Sequence, residues 1–109
     1  MPTSMPYRAT TSSGEVLDYD FVLHPHTQSA VRVSQLLSAQ LASIDREVAL
    51  TGDTGNGDVL QALAMALAVR VSMVPVSHEQ TAELAGELLR NALVSAQRAR
   101  RHSTPVGHG

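Results

Sequence analysis

The sequence predicts an all-α protein: a three-helix bundle-like domain, preceded by an N-terminal arm or short β-hairpin and completed by dimerisation. Three observations predict it. Val33, Leu37, Leu41, Ile44 and Val48 recur every three or four residues, the spacing of one helix face. Leu84, Ala85, Leu88, Leu89, Ala92, Ala96 and Ala99 do the same behind a helix-start signal. Between these two segments lies "DVLQALAMALAVRVSMVPV", residues 58–76, which is apolar nearly all round. A helix of that kind needs cover on more than one side.

Residues 1–14 are rich in Pro, Ser and Thr and read as a flexible arm. In "EVLDYDFVL", residues 15–23, Leu17, Tyr19, Phe21 and Leu23 alternate with Asp18, Asp20 and Val22, the period of a half-buried strand. The preceding "SSG" offers a turn back onto residues 7–11, which makes the hairpin the alternative to the arm. The chain's three aromatic residues, Tyr7, Tyr19 and Phe21, all fall here. They are expected either to lid the chain's own helices or to dock the arm on a partner.

The first helix is expected at about 28–50, with Thr27 or Ser29 as N-cap and Gly52 as a left-handed C-terminal cap. The second is expected at about 58–73, capped by Asn56 or Asp58. At about 100° per residue it presents two apolar faces. Leu60, Leu63, Leu67, Val71 and Val74 form a core face. Met65, Val69 and Met73 form the other, which requires cover of its own. The third helix starts at Ser77, with Gln80 completing a capping box, and runs to about 101. Residues 15–101 thus read as a single helical domain and 102–109 as a disordered tail. There is no internal repeat.

Composition narrows the function classes. A chain of 109 residues with 43% hydrophobic and 17% charged residues has room for one modest core. Without cysteine there is no disulfide, zinc–thiolate site or thiol nucleophile. Residues 1–58 carry seven acids and three arginines (−4), and residues 59–109 three acids and five arginines (+2). That imbalance is too mild for a bulk nucleic-acid binder. The absence of lysine and the 14 alanines match a GC-rich bacterial coding bias. The start "MPTSMPYRATTSSGE" lacks the pattern of a secretory signal, and the apolar run before Arg70 is too short to span a bilayer. A cytoplasmic location is expected.

Candidate chemistry is sparse. Asp53–Gly55 is the "DTG" tripeptide of aspartic proteases, but it lies between two helical segments instead of ending an apolar strand, so no protease is inferred. As a phosphate loop "GDTGNGD" lacks a following Lys and carries repelling acids; as a calcium loop it has glycines where oxygen ligands belong. It reads as an interhelical linker with left-handed glycines. His24 and His26 in "HPH" are the start of a metal site at most, with Asp20 or His78 as conceivable additions, and no metal or cofactor is expected. A helix-turn-helix across "VPVS" would bring Glu79 and Glu83 to DNA, which argues against it.

The leading expectation is a small non-catalytic interaction, regulatory or adaptor module acting as a homodimer. Its interface is expected to include Met65, Val69 and Met73, with Glu79 and Glu83 of the third helix pairing with Arg101 and Arg98 of an antiparallel second copy. A ligand-binding protein or minor enzyme built on the His24/His26 region is the alternative, and a nucleic-acid regulator the third.

Overall fold

The computed structural model describes residues 3–103. In chain order it contains β1 (Ser4–Thr10), β2 (Glu15–Val22), α1 (Ala30–Thr51), α2 (Asn56–Met73), α3 (His78–Gln97) and β3 (Arg100–Ser103). The strands form one antiparallel sheet in the order β1-β2-β3. The all-α expectation is therefore corrected: this is an α+β protein, in which the three expected helices are joined by a three-stranded sheet. The chain divides into two compact units, one of Met1–Ser34 with Leu88–Gly109 and one of Gln35–Glu87. The division falls inside α1 and α3, where no change of composition marks it.

The sheet belongs to the first unit. Of the two expectations for the N-terminal segment, the arm gives way to the hairpin: Ser4–Thr10, longer than the expected 7–11, is paired along its whole length with β2, from Ser4 opposite Val22 to Thr10 opposite Val16. The turn fixes that register. The Thr11 and Gly14 N–H groups donate to Glu15 O (2.8 Å) and Thr11 O (2.9 Å), and Gly14 sits at φ +89°. This is the three-residue hairpin loop whose last position wants the left-handed region. The Thr11 hydroxyl accepts from the Glu15 N–H at 3.0 Å and tightens the turn further.

Alternation then sorts the two faces. Met5, Tyr7 and Ala9 lie opposite Phe21, Tyr19 and Leu17 on one face, while Arg8 and Thr10 lie opposite Asp18 and Val16 on the other. Tyr19 and Phe21 stack at 5.1 Å between ring centroids. The aromatics anticipated in an arm are thus sheet residues, half-buried side by side. Pro6 sits where its missing N–H would have pointed to the open edge of β1, because Thr3 O accepts from Leu23 N–H (2.9 Å) and alternate residues face outward. An edge proline of this kind discourages further strand addition.

β3 is the element the sequence reading missed. α3 was expected to reach residue 101 but ends at Gln97. The Arg98 and Ala99 N–H groups turn to the carbonyls of Ser95 (3.2 Å) and Ala96 (3.1 Å), three residues back, which tightens and closes the helix. Arg100–Ser103 then extends along β2, with Arg100 opposite Asp18 and His102 opposite Val16. His102 and Ser103, assigned to the tail, are strand residues; 104–109 lie outside the described residues.

The helix starts follow side-chain chemistry closely. Ser29 caps α1 by accepting the Arg32 N–H at 3.1 Å, and Ser77 caps α3 by accepting the Gln80 N–H at 3.4 Å. Gly52 ends α1 in the left-handed region at φ +82°, its N–H bonded to Val48 O at 3.0 Å. α2 departs from expectation. Its N-cap is Gly55, at φ −69° and ψ 144°, whose carbonyl accepts from Asp58 (3.1 Å) and Val59 (3.3 Å). Asn56 and Asp58 are already helical, and Gly52 is the linker's left-handed glycine. Val74, extended at ψ 126°, ends α2 because Pro75 disfavours a helical residue before it.

Candidate interaction surface

Burial shows where the apolar side chains go. In the first unit Met5, Val16 and Ser95 are buried; in the second, Val71 and Ala85 are. On α1 the inward stripe is Leu37, Leu41, Ile44 and Val48, each half-buried, as the spacing predicted, while Val33, expected on the same face, is exposed. On α2 the inward residues are Val59, Leu63 and Val71. Of the expected core face only Leu63 and Val71 lie inward; Leu60 is 66% exposed, and Leu67 and Val74 are exposed as well. The second apolar face lies open: Met65 is 57%, Val69 52% and Met73 62% exposed. The stripe expected on α3 is split: Ala85, Ala92, Ala96 and Ala99 lie inward, with Ser95 beside them, while Leu84, Leu88 and Leu89 remain exposed.

α1 and α2 run antiparallel, and a groove lies between them. Its wider part, about 500 Å³, is lined by Ala39, Gln40, Ser43, Ile44, Ala62, Leu63 and Ala66. A narrower part of about 260 Å³ shares Ser43, Ile44 and Ala62 and continues to Glu47, Thr51 and Asp58. Small side chains leave room there, and carboxylates stand at one end only.

The expected salt-bridge edge on α3 is not one edge. Glu79 and Glu83 are exposed on the helix, Arg98 lies just beyond its end, and Arg101 sits on β3, where its Nε reaches Glu15 Oε1 at 3.2 Å. The pairing of Glu79 with a partner's Arg101 along a continuous helix is thereby corrected.

The sheet carries a polar constellation that the sequence reading did not identify. Arg8 Nε and Nη2 donate to Asp18 Oδ1 (2.7 Å) and Oδ2 (3.1 Å), and His102 Nε2 lies 3.0 Å from Asp18 Oδ2. Arg8 and Asp18 form a non-hydrogen-bonded cross-strand pair, the kind whose side chains come closest. The Arg8 side-chain hydrogen bonds, then that of His102, hold the Asp18 carboxyl well below the usual carboxylate range, and the same contact raises Arg8. An aspartate beside a histidine can orient a general base, but here Arg8 occupies both carboxylate oxygens. The arrangement fastens β3 and β1 to β2. Given the turn, the Arg8–Asp18 pair was legible: a loop closed by Thr11 and Glu15 places 8 opposite 18.

At His24 and His26 the rings meet edge-on at 5.3 Å, and His24 Nδ1 accepts the His26 N–H at 3.0 Å. That bond leaves His24 one ring nitrogen for any other partner. Among the described residues no three His, Asp or Glu side chains converge as a metal site would require, and no helix is long and apolar enough to cross a membrane. No protein-family profile matches this chain, nor does any curated protein or solved structure.

Proposed function

We propose that this protein is a non-catalytic protein–protein interaction module that works as a homodimer through its helical surface. The observation that carries the reading is the exposure of Met65, Val69 and Met73 on one face of α2 and of Leu60 on another. Single exposed apolar residues are ordinary, but a whole helix with apolar side chains open on two faces marks an interaction surface. A homodimer interface is the richest in apolar residues of the common interface classes, resembling a domain core cut in half.

Sedimentation equilibrium tests it. The protein should run at twice its 11.6 kDa chain mass, and Met65→Asp should return it to a monomer that keeps its helical circular dichroism. Met65 is exposed, so the aspartate costs the single chain little. A wild-type chain that stays monomeric across the accessible concentration range overturns the proposal.

A further inference from the structure

We propose that the groove between α1 and α2 receives α2 of a second copy of this chain, antiparallel to the first α2, with Asp58 of each copy meeting the partner's Arg70. The inference rests on the self-association proposed above and specifies its geometry.

Charge gives the direction. Asp58 and Arg70 are the sole charged residues of α2, one in its first turn and one in its last. Neither has a salt-bridge partner among the described residues; the Arg70 guanidinium reaches the Met73 sulfur at 3.7 Å. They stand about 18 Å apart along the helix and about 120° apart around it. The arc between them carries Val69, Ala62, Met73, Ala66 and Val59 and nothing polar. Antiparallel pairing about a two-fold axis at the level of Ala64 sets Asp58 against the partner's Arg70 at both ends, whereas parallel pairing sets like charges together. A two-fold interface meets itself, so opposite charges at the two ends of one face are self-complementary.

The groove fits that occupant. It follows α1 from Ala39 to Thr51, a helical length of about 18 Å, matching the separation of the two charges. Its narrow end holds both Glu47 and Asp58, so the partner's Arg70 arrives between two carboxylates. Its wide end, lined by Ala39, Gln40 and Ala66, is free of acids and accommodates the partner's first turn.

The test is a charge swap read by sedimentation equilibrium. Asp58→Arg or Arg70→Asp alone should weaken the dimer by about tenfold, since each creates two like-charge contacts. The double variant Asp58→Arg with Arg70→Asp should recover wild-type affinity. Each substitution opposes the dipole of α2, so the double variant has the less stable helix, and recovery cannot come from helix stability. Ala66→Glu, at an exposed position of the single chain, should also dissociate the dimer. A wild-type monomer removes this inference together with the proposed function. A wild-type dimer whose single variants bind normally, whose double variant binds no better than the singles, or which survives Ala66→Glu, overturns this geometry alone.

Discussion

Replacing Ser95 by Ala tests how the sheet is held to the helix within the first unit. Successive N–H groups of β2 point to opposite sides. Leu23 N–H reaches Thr3 on the β1 side, so Val22 N–H points to the β3 side. β3 pairs only with residues 15–18, so nothing in the sheet receives that donor. Ser95, buried at 4% exposure on α3, takes it instead: its Oγ lies 3.2 Å from Val22 N. Ser95→Ala deletes this acceptor and leaves almost no cavity. A neutral hydrogen bond contributes about 1 kcal/mol net, and a donor stranded away from water costs up to about 3. The Val22 side chain is 61% exposed, so water can reach part of this site and the loss should fall near the lower figure. For a chain of this size that corresponds to a fall in Tm of about 4 °C. Thermal melts must be compared at one chain concentration, because the Tm of a self-associating chain depends on it. Amide hydrogen exchange localises the effect: Val22 N–H should be protected in the wild type and lose protection in the variant. A Val22 amide that exchanges freely in the wild type, or a variant with unchanged Tm, refutes the reasoning.

Two glycines of the α1–α2 connection should respond in opposite directions. At Gly52 an added Cβ meets nothing within 4 Å, but φ is +82°, so Gly52→Ala should cost about 1 kcal/mol in urea unfolding through backbone strain alone. Gly57 lies inside α2 with equally open space and a helical backbone, so Gly57→Ala should add about 0.5 kcal/mol. Acid should loosen the sheet through Asp18, whose carboxyl is lowered when folded. A lowered folded value gives stability that is complete above the unfolded value, near 4, and is lost as pH falls below it. Asp18→Asn should therefore be less stable at neutral pH and show a flatter acid limb. Fluorescence of Tyr7 and Tyr19, the two tyrosines, both in the hairpin, reads that transition.

The sequence disclosed what local physics decides. The three helices, the serine caps at Ser29 and Ser77 and the glycine cap at Gly52 all follow from side chains within a few residues of the feature they control. The hairpin was half legible, since the alternation in 15–23 and a turn back onto residues 7–11 were visible, but the extension of the partner strand through Pro6 to Ser4 was not. β3 was hidden for a different reason. "RARRH" continues the composition of α3, and arginines at a helix end suit the helix dipole. What makes Arg101 and His102 a strand is Glu15 and Asp18, more than eighty residues away, at 3.2 and 3.0 Å. Long-range charge pairing leaves no local trace. The Gly55 cap of α2 was missed because the polar residues Asn56 and Asp58 drew the assignment one to three residues too far along.

The split stripe of α3 shows why the candidate surface was harder to place than the elements. Periodicity identifies which side chains share a face, and it grouped Leu84, Leu88, Ala85 and Ala92 as one dry stripe. In the single chain the small members of that stripe are covered while Leu84 and Leu88 stay exposed. The same split runs through α2, where Val59 and Leu63 turn inward and Leu60, Met65 and Val69 outward. Burying an exposed leucine or methionine completely is worth about 1.5–3 kcal/mol, and the proposed self-association draws on that gain. In the homodimer proposed above the same stripe would serve both interiors, with alanines toward the chain's own elements and large side chains toward the partner. An apolar pattern tells which surfaces are dry in the working protein; which chain dries them is decided by geometry. For α2, the opposed charges of Asp58 and Arg70 are the local clue to that geometry.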